Sequence, residues 1–219
     1  VGFFGVDANH QDGPVAIGRF AEKHRLPFPI LKDVGNDLAD RLKAERTPEV
    51  VVLDRSRRVV YQGRIDDQYA IGVHRPAPTR RDLIDALEAV LAGRPVVTPR
   101  TDVVGCLIGR ASKPSEGNGV TYAKQVSRIL QTHCVSCHRP GEIAPFSLTD
   151  YRQAAGWSSM IAEVVDEGRM PPWHASPDHG KFANDARLSA EEKQAIRDWA
   201  AAGSPEGDPA DMPSPPQFV

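Results

Sequence analysis

Apolar positions recur along the first half of the chain with two different spacings, and these spacings set out the predicted elements. Residues 1–7 are a short apolar run ending at Asp7 and read as a buried strand. Residues 14–24 carry Val15, Ile17 and Phe20 at helical spacing, with Pro14 suited to a first turn. Residues 26–31 hold Pro27 and Pro29, which impose an extended chain. A short helix is expected over 37–43. Residues 50–54 form a β-branched run and, after a polar turn at 55–58, residues 59–65 form a second one, so the pair reads as a hairpin. Residues 79–92 return to helical spacing. There Thr79 and Asp82 make a capping-box-like start, Leu83, Leu87, Val90 and Leu91 share a face, and Gly93 is the stop.

From residue 120 the pattern is helical only. Tyr122, Val126, Ile129, Leu130 and His133 lie on one face of a helix over 121–133. Residues 149–168 read as another, with Trp157, Ile161, Val164 and Val165 inward and Gly168 as its stop. The last helix opens at Ser189, where Glu192 completes a capping box. Ile196, Trp199 and Ala200 form its stripe and Gly203 closes it. Between the halves, residues 96–119 are a connector with strand character at 103–108 and a polar, Gly/Pro-rich linker at 113–119. Residues 205–219 are a Pro-rich tail or linker.

The chain has 219 residues, enough for two small domains, and its 40% apolar content supports a packed core. A net charge of −2 argues against bulk attraction to nucleic acid or an anionic membrane. No apolar run is long enough to span a bilayer. The opening Val1-Gly2-Phe3-Phe4-Gly5 has no basic region or cleavage pattern. Because the chain starts at Val, inside an apparent strand, it is expected to be a fragment with an export signal upstream. Of the three cysteines, two fall in the 134–138 motif taken up below, which leaves Cys106 and no disulfide framework.

Candidate chemistry centres on Cys134-Val135-Ser136-Cys137-His138, the c-type haem attachment pattern. Each thiol can add across one haem vinyl group, and His138 can offer an imidazole nitrogen to the iron from the proximal side. Met170, held before Pro171-Pro172, offers a thioether from the other side. His133, His174, His179, Met160 and water stay open as sixth ligands. A structural zinc site at Cys134, Cys137 and His138 lacks a second ligand pair at the usual spacing. A thioredoxin-type redox pair belongs between a strand and a helix, whereas this one follows a helix. Cys106 reads as a buried small hydrophobe, with a thiol that faces or pairs with an upstream segment as the alternative.

Residues 120–204, with a helix running into CxxCH, a methionine loop and a closing helix, resemble a mono-haem cytochrome c domain. Residues 1–95 resemble the C-terminal part of a thioredoxin-like (redoxin) domain. That resemblance rests on the order strand, helix, Thr47-Pro48, strand, strand, helix, and on Tyr61-Gln62-Gly63-Arg64-Ile65-Asp66-Asp67-Gln68-Tyr69. Together they imply an α/β thioredoxin-like partial domain with a mixed sheet, followed by a small all-α cytochrome c-like domain. The resemblance further implies a cis bond at Thr47–Pro48 and one covalent haem c on Cys134 and Cys137, with His138 and Met170 as axial ligands. It implies one-electron transfer to a redox partner protein or another domain, with no nucleic acid partner, and a periplasmic or otherwise exported location. No cysteine lies in residues 1–95. Two alternatives therefore stand beside the electron carrier: a thiol–disulfide oxidoreductase or peroxidase whose reactive cysteine lies upstream, and a haem sensor without turnover.

Overall fold

The computed structural model describes residues 1–110, 119–173 and 175–218. The linker expected at 113–119 therefore lies, apart from Gly119, outside the described residues, as does His174. The chain divides into two compact units, Leu38–Ile108 and a unit formed by Val1–Asp37 with Gly109–Val219. The cut differs from the domain boundary expected near residue 95, because the first 37 residues group with the second half of the chain. No helix among the described residues is long and apolar enough to cross a membrane.

The larger unit begins with β1 (Gly5–Asp7), α1 (Pro14–Lys23) and β2 (Ile30–Lys32), and β1 and β2 pair in parallel. Helix α1 starts at Pro14 as the sequence predicts, yet Val15 and Phe20 stay exposed. Asp7 accepts a hydrogen bond from Lys32 Nζ at 2.8 Å, and the Asn36 amide bonds the Ala8 carbonyl, fixing the loop after β1.

In the smaller unit, α2 (Asp37–Leu42) precedes β3 (Arg46–Thr47), which pairs antiparallel with β8 (Cys106–Leu107) further along. Cys106 lies opposite Thr47 and is half-buried, and the Thr47–Pro48 bond is cis. Gly105 passes so near the Thr47 carbonyl that a side chain there would collide with it. The expected hairpin is β4 (Val50–Leu53) against β5 (Val59–Gly63), followed by a small hairpin of β6 (Tyr69–Ala70) and β7 (Val73–His74) and then α3 (Asp82–Leu91). The strands described pair two by two instead of forming one mixed sheet. Val52, Tyr61 and Ala86 are the buried centre, with Leu83, Leu87 and Val90 of α3 packed on it, while Leu91 points to solvent.

Thr79 does not cap α3. The helix starts three residues later, and the Thr79 hydroxyl donates instead to Asp67. Asp67 also accepts the backbone N–H groups of Thr79 (2.7 Å) and Arg80 (2.9 Å), so one carboxylate organises the entry to the helix. Asp82, expected in the capping box, is buried and pairs with Arg64 (2.8 Å) and Arg80 (3.1 Å).

The regular structure described from residue 119 onward is helical. A single π turn over Tyr122–Val126 leads into α4 (Ser127–His133), where the sequence pattern predicts one continuous helix. Then come α5 (Tyr151–Gly156) and α6 (Ser158–Asp166), separated at Trp157, so the segment expected as one helix is two. Helix α7 (Ala190–Ala201) opens with both bonds of the expected Ser189–Glu192 capping box. Helices α6 and α7 pack on each other, and Trp199, Ile196, Leu130 and Val126 are fully enclosed. Each such side chain contributes about 1.5–3 kcal/mol relative to exposure.

The tail is folded onto this core. The Pro205 carbonyl accepts from Trp199 Nε1 (3.0 Å) and Tyr122 N–H (2.9 Å), and the Glu206 carbonyl accepts from Ala123 N–H (2.8 Å). A helix start leaves its first N–H groups without intrahelical partners, and the tail carbonyls supply them.

The hydrogen bonds from Thr79, then from Arg80, hold the Asp67 carboxyl well below the usual carboxylate range. The unfolded chain therefore binds the proton first, and the stabilisation is present above about pH 4 and lost as pH falls toward the folded-state value. Asp67→Asn is expected to lower the urea midpoint more at pH 6 than at pH 3. Equal losses at both pH values would remove the carboxylate from this account.

Candidate functional site

The CxxCH motif is built by the way α4 ends. The N–H groups of Cys134 and Val135 both bond the Leu130 carbonyl at 2.9 Å, and the chain then curls on itself. The Cys134 carbonyl accepts from Cys137 N–H (3.1 Å) and His138 N–H (2.9 Å). One carbonyl thus closes residues 134–138 into a single turn that brings both cysteines and the histidine together. Val135 is buried in the helical core and anchors the turn, while Ser136 and Cys137 face outward.

The loop 139–148 is strapped back onto this turn. Ala144 N–H bonds the Cys137 carbonyl (3.3 Å), and Leu148 N–H bonds the His138 carbonyl (2.9 Å). His138 Nδ1 lies 3.2 Å from the Phe146 carbonyl oxygen. A carbonyl can only accept, so Nδ1 carries the hydrogen and Nε2 keeps its lone pair. The imidazole also packs on the Phe146 ring (centroids 4.7 Å), which stacks on Trp157 (4.4 Å). Burial pushes the His138 pKa down, against a smaller opposite pull from the Phe146 bond, and this favours the neutral ring that a metal requires.

The two thiols differ. Cys134 is packed against the core, and burial, aided by the neighbouring Cys137, pushes its pKa up to about 12. Cys137 is exposed, and neither is disulfide-bonded.

Met170 sits on a separate loop. Helix α6 ends near Gly168, which adopts φ +69°, and the N–H groups of Arg169 (2.8 Å) and Met170 (3.1 Å) return to the Val164 carbonyl. Arg169 is pinned by Glu163 (2.7 Å) and Glu167 (2.5 Å), the Met170–Pro171 bond is cis, and Met170 is 42% exposed. Beyond it, Trp173 packs edge-on against Phe182 (5.7 Å), and its Nε1 is enclosed with no acceptor among the described residues.

The other potential sixth ligands are placed as follows. His133 Nε2 is engaged with Glu192 Oε1 at 3.2 Å, Met160 is half-buried on α6, and His179 is exposed in a short 3-10 turn. Among the described residues no group of three or more His, Cys, Asp or Glu side chains is placed to hold a bare metal ion. The turn itself brings together two thiols outside any disulfide and an imidazole whose Nδ1 is committed, a set whose chemistry fits covalent haem attachment, while the Met170 thioether and the unsatisfied Trp173 donor belong to a separate loop. Sequence reasoning missed the Phe146 carbonyl. A backbone acceptor carries no sequence signature.

No family model and no curated protein matches this chain. Among solved structures it is similar to an uncharacterised conserved protein from Geobacillus kaustophilus. The identity is 31% over 52% of this chain and 61% of that one, with a TM-score of 0.46. It is also similar to a hypothetical protein from Sinorhizobium meliloti 1021, with 30% identity over 49% of this chain and 60% of that one and a TM-score of 0.45. The chain thus matches about three-fifths of the length of each.

The thiol asymmetry has a direct consequence. A thiol held protonated is a poor nucleophile. In the haem-free protein at pH 8, iodoacetamide is expected to modify Cys137 well before Cys134, as read by peptide mass spectrometry. Equal rates at the two sites would contradict the burial of Cys134.

Proposed function

We propose that this chain binds one haem c covalently and carries single electrons, with a redoxin-like half attached to the haem-binding half. The observation that carries the reading is the local geometry of His138. Its Nδ1 is committed to the Phe146 carbonyl, its Nε2 is open, and two unpaired thiols occupy the same turn.

Cys134 and Cys137 would hold the group through thioethers. Each thiol would be joined to the group by addition to a vinyl carbon, which needs no leaving group. His138 and Met170 would hold the iron. When bound, the group supplies the one-electron change of its iron, and a Met/His pair favours the reduced form. The residues of the chain bind and orient it. The Phe146 carbonyl and ring set the imidazole plane, Val135 ties the turn to the core, and Pro171-Pro172 restrict the methionine loop. The Trp173 indole N–H is a donor suited to a carboxylate such as the group carries. On this reading the protein is matured outside the cytoplasmic membrane and exchanges electrons with another redox centre, in a partner protein or in a further part of the same chain.

A second reading, a haem sensor with an open sixth position, is favoured by the exposure of Met170.

Visible spectra of the protein produced with a haem-attachment system separate the two. The electron-carrier reading expects a low-spin wild type, a high-spin Met170→Ala variant and a lower midpoint potential in that variant. A wild type that is already high-spin and unchanged by Met170→Ala would overturn the Met170 assignment and select the sensor.

A further inference from the structure

The tail from residue 204 onward is held in two different ways. Its inner part is fixed to the helical core. Ser204 is 1% exposed in a left-handed conformation, φ +57°, and its carbonyl accepts from the Tyr151 hydroxyl (2.9 Å). The Pro205 and Glu206 carbonyls take up the N–H groups of Tyr122 and Ala123. Gly207 follows with φ +85°, and a side chain there would collide with Thr121.

The outer part, residues 208–218, contains no buried residue and lies on the surface. Two arginines reach it. Arg128 on α4 donates from Nη2 to the Asp211 carbonyl (2.9 Å), and the Arg139 guanidinium lies 4.1 Å from the centre of the Phe218 ring. Between these contacts the chain is stiff. Pro213, Pro215 and Pro216 fix their own φ and keep the residue before each extended, and Met212 has φ −62° and ψ 133°. Pro213 and Pro216 are half-buried, whereas Ser214, Pro215 and Gln217 are exposed. The segment thus turns one side inward at the three-residue period of a polyproline helix. A segment with so little freedom to lose can be seated by few contacts.

Arg139 is where this segment meets the candidate site. It directly follows His138, its Nε donates to the Ser136 carbonyl (3.4 Å), and its guanidinium pairs with Glu142 (2.8 Å) in the loop 139–148. That loop returns to the motif turn through the N–H groups of Ala144 and Leu148, and it carries the Phe146 carbonyl that fixes His138 Nδ1. Phe218 therefore bears on a side chain that spans the turn and the loop.

We propose that residues 208–218 form a detachable strap, which holds the loop 139–148 closed on the CxxCH turn through the Phe218–Arg139 contact. The strap lifts away beyond Gly207 while the inner tail stays on the core. Coupling of this kind is reciprocal. Whatever captures the freed strap loosens the loop that orients His138, and whatever orders the loop favours the docked strap. The strap is a property of the polypeptide and stands apart from the haem reading.

The test is amide hydrogen exchange of the full chain, read by mass spectrometry on peptides from 139–148. Phe218→Ala is expected to speed exchange there about two- to fivefold, the range of one exposed cation–π contact, and to leave α6 and α7 unchanged. Phe218→Tyr, which keeps a ring over the guanidinium, is expected to retain wild-type rates. Unchanged exchange of 139–148 in Phe218→Ala overturns the proposal. Equal acceleration in α6 and α7 overturns it too, because the tail would then be part of the core. A Phe218→Tyr variant that exchanges as fast as Phe218→Ala would remove the ring–guanidinium contact from the account.

Discussion

The hydrogen bond from His138 Nδ1 to the Phe146 carbonyl is the constraint on which the candidate site depends. It commits one ring nitrogen and so leaves the other open in a defined direction. Everything around it serves to hold that carbonyl in place. Leu148 N–H ties the loop to His138, the Phe146 ring stacks on Trp157, and Trp157 marks the break from which α6 starts. Helix α6 in turn packs on α7 and carries the loop of Met170 at its far end. A straight helix through Trp157 would not place an aromatic ring over Phe146 at the start of a new helical segment. The interruption that the sequence pattern hides is therefore part of how the site is assembled.

The two faces of the motif divide its labour. Val135 and Cys134 belong to the core side, where burial keeps the Cys134 thiol protonated. Cys137 lies on the open side, and Ile143, in the loop that straps back onto the turn, is apolar and left in solvent contact. Apolar side chains around a half-open turn are what a flat, largely apolar ligand would cover. The tail reinforces the same arrangement from behind. Its carbonyls occupy the helix start before the motif, and Phe218 lies 4.1 Å from the Arg139 guanidinium, next to His138 in sequence.

What the sequence made legible was the chemistry carried by side chains and the elements with strong periodicity. The 50–53 and 59–63 hairpin, helix α1 and the Ser189–Glu192 capping box stand where the pattern places them. The features it hid are those set by tertiary context or by backbone atoms. Thr79 is spaced as a cap, yet the Asp67 carboxylate captures its hydroxyl first. The π turn before α4 keeps the apolar face of a helix while adding one residue to its turn, so periodicity does not reveal it. The Phe146 carbonyl and the left-handed Ser204 leave no trace in residue type. The Pro-rich tail reads as a linker by composition, but its carbonyls pack against Trp199 and Tyr122.

The most direct test of the central claim is whether haem stays on the chain after denaturation. The protein, co-produced with a haem-attachment system, is extracted with acidified organic solvent and its intact mass measured. The account predicts a mass raised by one haem, retained through extraction in the wild type and abolished in the Cys134→Ala/Cys137→Ala double variant. A wild-type mass equal to that of the bare polypeptide, in cells where a control cytochrome matures normally, would contradict it.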